Sequence, residues 1–216
     1  LLNNGGSAGN GWPSGRWIFG GVTSDDAHTG TLPGALTPVP LYESYSADAT
    51  TGGFNSRWMF GYSSVQRVND VLRLHAEVVE LGNISVEKAL QIEAEARFLR
   101  GLYHLEMAMM WRNIPYVDET ISSSAGNYFV PNPGPIWDKI EADFQFAASN
   151  LSPTKSDIGR ANSWAAKSFL AKTYLFQHKF NEAKPLLTSI IDQGVTSNGL
   201  KYDLYERYED NFKSST

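Results

Sequence analysis

The chain contains no cysteine, which excludes disulfides and thiolate metal sites without fixing a compartment. It has no apolar run near the length of about 20 residues that a membrane-spanning helix needs. Lysine and arginine form no cluster, and 18 basic against 23 acidic residues leave a net charge of −5. That balance argues against nucleic acid as the main partner. Neither a phosphate-cradling G-x-x-x-x-G-K-[ST] nor a nucleophile elbow G-x-S-x-G occurs. None of His28, His75, His104 and His178 sits in a catalytic triad word. Nothing calls for a cofactor. What is present, 42% hydrophobic and 12% aromatic residues in a chain of 216, suits a folded protein of one or two domains with a sizeable core.

The opening Leu1-Leu2-Asn3-Asn4 lacks an initiator Met and reads as the frayed end of a helix, so the chain is expected to be a piece of a longer one. Residues 1–57 form a region rich in glycine and aromatics, with 11 of the 19 glycines before residue 56 and no surviving period. Loops and short extended pieces are expected there. From Trp58 the character changes. Trp58, Tyr62, Val65, Asn69, Leu72, Ala76 and Val79 recur at helical spacing, to an end near Gly82. A second helix is expected from the N-cap Ser85 to about Trp111, where Pro115 forbids much continuation. Residues 112–134 read as a long loop insertion. Pro135 then suits the first turn of a third helix to about Leu151. A fourth helix spans about Asn162–Gln177. A fifth spans Asn181–Asp192, closed by Gly194 as a C-terminal glycine.

The helical part, 58–216, repeats itself. A shift of 71 positions lays Ala94, Phe98, Leu99 and Tyr103 onto Ala165, Phe169, Leu170 and Tyr174. The second copy has tetratricopeptide spacing, with Lys167 in the Trp position, Leu170, Ala171 for the small Gly, Tyr174, then Ala183 and Leu187 in the partner helix. In the first copy the partner residues are Ala147 and Leu151. Tyr103 to Ala147 is 44 positions and Tyr174 to Ala183 is 9, a difference of 35. That nearly equals the excess of 71 over one repeat of about 34 residues. Two consecutive repeats are therefore expected, the first carrying an insertion between its helices. The fold class is all-α, with tetratricopeptide-like helix pairs in an α-α superhelix and long irregular loops.

On the second helix, Glu93, Arg97, Arg100 and His104 share a polar side, with Glu93 and Arg97 an i,i+4 pair of surface type. Glu95 and Glu106 instead fall within the apolar arc of Phe98, Leu99, Leu102 and Met109. Buried carboxylates of this kind are either an acid/base pair or structural partners of an Arg, an Asn or a backbone N–H. The structural reading is preferred.

With the repeats in place, the words "EARFLRGLYHLEMAMMWRNIPYVDE", "GRANSWAAKSFLAKTYLFQHKFNEAKPLL" and "YDLYERYEDNF", with "SDDA" at Ser24–Ala27, resemble the SusD/RagB family of outer-membrane nutrient-binding lipoproteins. The resemblance implies tetratricopeptide-like helix pairs supporting loops that bind a glycan. It implies surface exposure at the cell outer membrane, and a SusC-type TonB-dependent transporter as partner. The family's lipidated N-terminal Cys is absent from this chain, as is its long C-terminal half.

Sugar sites need flat aromatic faces and amide or charged groups. The segment between His28 and Asn55 supplies Tyr42, Tyr45, Phe54 and Asn55, and the resemblance places part of the ligand surface there. Trp12 and Trp17 are weaker candidates, as anchors of the loop. Asp25, Asp26 and His28 have ligand-type side chains but no partner at a known metal spacing, so a turn or capping role is expected and no metal site is assigned. Asn69 is expected to hydrogen-bond a loop backbone. The leading reading is a non-enzymatic glycan-binding component. A protein-binding tetratricopeptide scaffold without a sugar site is one alternative. A helical glycoside hydrolase, which needs two carboxylates across a cleft, is the other.

Overall fold

The computed structural model describes residues 17–24, 26–28 and 39–213. These divide between two units, Leu1–Ser63 and Ser64–Thr216. Among the described residues of the first, where no period is visible in the sequence, the chain makes three short helical pieces ahead of residue 54. They are a π-turn at Trp17–Gly21, a 3-10 turn at Val22–Ser24 and α1 at Val39–Glu43. Each is about one turn, too short to display a 3.6-residue repeat. Their apolar residues Ile18, Val22, Val39 and Tyr42 form one buried cluster, edged by Trp17, Phe19, Ala27, Ala47 and Phe54.

Helix α2 spans Phe54–Glu80, starting four residues ahead of Trp58. Gly82, with φ of 67°, ends it in the left-handed conformation that glycine adopts without steric cost. Helix α3 is Val86–Trp111, and the Ser85 side chain accepts from the Lys88 N–H at 3.3 Å as its N-cap. After the insertion come α4 at Trp137–Asn150, α5 at Ser163–Phe176 and α6 at Phe180–Gln193. Asn162 caps α5 by accepting from the Ala165 N–H at 2.8 Å. Its amide also donates to the carbonyls of Pro153 and Val195, joining three segments of chain. Gly194 follows α6, but not as a left-handed cap, since its φ is −64°. A Cβ there would lie 2.3 Å from the Ile190 carbonyl oxygen and 2.7 Å from the Tyr202 ring, so closeness of approach demands the glycine.

Helices α3 to α6 pack each on the next. Arg97 meets Phe146 while Gly101 meets Asp143 and Phe144, so α3 and α4 run antiparallel. Gln145 bonds Tyr174 and Glu141 bonds Gln177, which makes α4 and α5 antiparallel too. Two helix hairpins result, α3/α4 and α5/α6, in tetratricopeptide-like order. Phe98 and Phe169, equivalent under the sequence repeat, both meet Phe144, with ring centroids 5.6–5.8 Å apart around the triangle. Ala171, Ala147 and Ala183 are fully enclosed, as small residues at helix crossings should be. The register differs in one detail. The first hairpin's close approach falls at Gly101, where a Cβ would stand 3.2 Å from Phe144, one position beyond the residue aligned with Ala171. Leu187, in the partner helix α6, is 37% exposed and so only partly enclosed. No helix of the described residues is long and apolar enough to cross a membrane.

Candidate functional site

Within the first unit, the four residues of the His28–Asn55 segment take two different places. Tyr42 is 3% exposed. Its ring meets Phe19 and Phe54 edge-on, each with centroids 5.1 Å away, while Phe19 stacks on Phe54 at 5.6 Å. Its hydroxyl donates to the Gly52 carbonyl, and burial raises the phenol above its ordinary value, so it stays protonated as a donor. Gly53, with φ of 103°, makes room for this ring, because a Cβ there would sit 2.6 Å from the hydroxyl oxygen. Tyr42 and Phe54 are thus the packed floor of the segment.

Tyr45 and Asn55 are on its surface. Tyr45 is 74% exposed, and its φ of 54° is a left-handed conformation that a tyrosine adopts at a cost. Its hydroxyl donates to the Thr23 carbonyl, which fixes the ring at one end and leaves its faces to solvent. Asn55 is exposed in the first turn of α2, its amide 3.5 Å from the Met59 sulfur. Trp17 is half-buried against the aromatic cluster, an anchoring position. Trp12 and Asp25 lie outside the described residues. Asp26 accepts from the Ser24 hydroxyl at 3.0 Å within a turn, and His28 pairs with Glu43. Among the described residues, no group of three or more His, Cys, Asp or Glu could hold a metal ion.

In the second unit, the insertion between α3 and α4, residues 112–136, is fastened at its base by a buried polar network. Arg100, 4% exposed, donates to Asp143 through Nε at 2.8 Å and Nη2 at 2.7 Å, and pairs with Glu119 through Nη1. The Tyr116 hydroxyl donates to Asp143 at 3.3 Å, and the guanidinium lies over the Tyr116 ring at 5.6 Å. From α2, the Asn69 amide donates to the Val117 carbonyl at 3.0 Å, the expected loop bond, and Arg73 donates to the Glu119 carbonyl at 2.9 Å. Burial opposes the Arg100 charge, but the hydrogen bonds to Asp143 outweigh it and hold the guanidinium above its usual value.

His104, fully buried one turn along α3, completes the base. Its Nδ1 lies 3.1 Å from the Arg100 carbonyl oxygen, and the Val117 N–H donates to its Nε2 at 3.3 Å. Nδ1 therefore carries the proton and the ring is neutral. Burial, reinforced by the Arg100 charge, pushes its pKa down to about 3. The polar side expected on this helix is therefore not open to water at Arg100 and His104, because residues 114–121 cover it. Glu93 and Arg97 do form their ion pair at 2.7 Å, half-buried, with Arg97 also 4.2 Å above the Phe146 ring.

Glu95 accepts from Lys155 at 3.1 Å, from Gln91 at 2.7 Å and from Arg160. Burial alone would lift this carboxyl, but the hydrogen bonds from Arg160, Lys155 and Gln91 outweigh it and hold it below its ordinary range. A carboxylate so engaged is a strut joining α3 to the α4–α5 loop, and a poor general acid. Glu106 is buried farther along the same helix. The Arg100–Asp143 pair has a signal in the sequence. Asp143 shares the spacing of Ile140, Phe144 and Ala147, and a carboxylate on an apolar stripe calls for a buried cation.

Residues 37–175 match the SusD-like family described as "Starch-binding associating with outer membrane". The chain belongs to this family. A SusD-like protein of Bacteroides ovatus is 29% identical over 188 residues, covering 81% of this chain and 33% of that protein. Among solved structures, a laminarin-binding SusD-like protein is similar at a TM-score of 0.69 and 26% identity, over 81% of this chain and 37% of its own. A crystal structure with xylogluco-oligosaccharide is similar at 0.63 and 26%, over 82% and 36%. The chain thus spans about a third of the length of these relatives.

Proposed function

We propose that the protein binds an oligosaccharide without cleaving it, at the surface of the outer membrane, for delivery to a SusC-type TonB-dependent transporter. The observation that carries this reading is Tyr45. An exposed tyrosine held in a left-handed backbone conformation and oriented through its own hydroxyl presents a fixed aromatic face to solvent. A fixed face stacks on a sugar ring with little ordering cost, because its rotamer is already set. Asn55 supplies an exposed amide for hydroxyls on the same segment, in which Tyr42 and Phe54 pack on one another. Family membership, with relatives that bind laminarin or hold a xylogluco-oligosaccharide, supports the ligand class. Engagement of Glu95 by two cations and an amide supports binding over hydrolysis.

Calorimetric titration of the protein with laminarin, starch and xylogluco-oligosaccharide, with chromatography of each mixture for released sugar, tests it. At least one glycan should bind with no product released. Tyr45→Ala with Asn55→Ala should weaken that binding about tenfold, the loss of one aromatic anchor and its polar neighbour. Sugar release, or binding to none of the three, overturns the reading.

A further inference from the structure

We propose that the tip of the α3–α4 insertion is a second carbohydrate-contact surface, built around Tyr128 and Phe129 and suited to neutral glycans. The proposal rests on the glycan-binding reading above but concerns a separate part of the chain. Phe129 is 94% exposed and Tyr128 is 67% exposed. The two rings are adjacent and stand in water on a surface loop that is otherwise fastened down.

This loop is fastened. Beyond the Arg100–Asp143 base, the Asn127 side chain accepts from the Ser122 N–H at 2.9 Å and donates to the Thr120 carbonyl at 2.9 Å. The Ser122 hydroxyl accepts from the Ala125 N–H at 3.1 Å, and Gly126 takes the left-handed conformation the turn requires. On the returning side, the Asn132 amide donates to the Asn113 carbonyl at 3.1 Å, and Pro131, Pro133 and Pro135 restrict the backbone. The rings are thus displayed by a loop already ordered, which lowers the entropy lost on binding.

Chemistry selects the partner. From Thr120 to Trp137 there is no charged residue and no histidine, in a chain that is 19% charged overall. The run consists of Ser, Thr, Asn, Gly and Pro around its apolar and aromatic residues. Aromatic rings beside hydroxyls and amides match the apolar faces and hydroxyl edges of neutral sugars. The same mixture of Tyr, Ser, Gly and Asn serves recognition surfaces that adapt to polar partners. An anionic polysaccharide or an anionic membrane would need cations here, and this run has none.

The test is Tyr128→Ala with Phe129→Ala, titrated with laminarin, starch and xylogluco-oligosaccharide alongside the unaltered protein and a Tyr128→Phe, Phe129→Trp variant. The alanine pair is expected to weaken binding of the recognised glycan about tenfold, with the melting temperature unchanged and the aromatic-for-aromatic pair retaining affinity. Affinity should not vary between about 0.05 and 0.5 M salt, since no charge is engaged. Anionic polygalacturonate should not bind through the tip, so any affinity for it should be equal in the alanine pair. Full affinity in the alanine pair overturns this proposal alone, while a glycan bound by no form of the protein overturns the glycan reading as well. Loss of folding in the alanine pair would show the rings to be packed, and overturns it too.

Discussion

Replacing His104 by Gln should make the fold less sensitive to acid, and the size of the effect follows from where the imidazole sits. The ring is neutral, wholly buried, and held between the Arg100 carbonyl and the Val117 N–H. Its folded-state pKa is about 3, whereas an unfolded chain protonates histidine at about 6.5. Below pH 6.5 the unfolded state therefore holds more protons than the folded state, and stability falls as pH falls. The contribution is fully present only above the unfolded value. Between pH 7.5 and pH 5 the two values imply a loss of about 2 kcal/mol from this group. Glu95 adds little in that window, because its folded value is depressed and an unfolded glutamate titrates near 4.3. Urea melts of the protein and of His104→Gln at pH 5, 6 and 7.5 measure the difference in slope, with the other histidines cancelling in the comparison. The variant is expected to be less stable at pH 7.5 and to lose about 2 kcal/mol less on acidification. Identical slopes would refute the assignment of a buried neutral ring.

Two further predictions concern packing. Tyr42→Ala should destabilise the first unit by about 3 kcal/mol, because it empties the centre of the Phe19–Phe54 cluster, while Tyr45→Ala should change stability by about 0.5 kcal/mol or less. Equal shifts in thermal melts of the two would contradict their separation into floor and surface. Arg100→Leu should cost roughly 3–5 kcal/mol by leaving Asp143 buried without its cation, and adding Asp143→Leu should restore a substantial part. A single variant costing under about 1 kcal/mol in a denaturant melt would show the network to be dispensable.

Helices were readable where their stop and start signals are local. Ser85, Asn162 and Gly82 each act within one turn of the residues they cap, and α3 and α5 begin where those side chains place them. The repeat was readable because Phe98 and Phe169 carry the same packing role and converge on Phe144. Tyr42 and Tyr45 were not separable by that means. They lie three residues apart in a stretch with one helical turn, and only the tertiary position of Phe19 and Phe54 buries one of them. Arg100 and His104 also defeated a helical wheel, which registers that residues share a side but not that residues 114–121 cover it.

The polar base under the insertion has an evolutionary consequence. The residues that hold it, Asn69, Arg73, Arg100, His104 and Asp143, come from three helices, and they grip the chain at Tyr116, Val117 and Glu119. Within the tip, Ser123, Ala125, Tyr128 and Phe129 have exposed side chains that bear none of that load. Exchanges at such positions usually alter stability by about 0.5 kcal/mol or less. Mutation can therefore sample new tips at almost constant fold stability, while the helices beneath tolerate little. A gene duplicate of this protein would have a short, tolerant stretch in which to diverge, without waiting for compensating changes in its core.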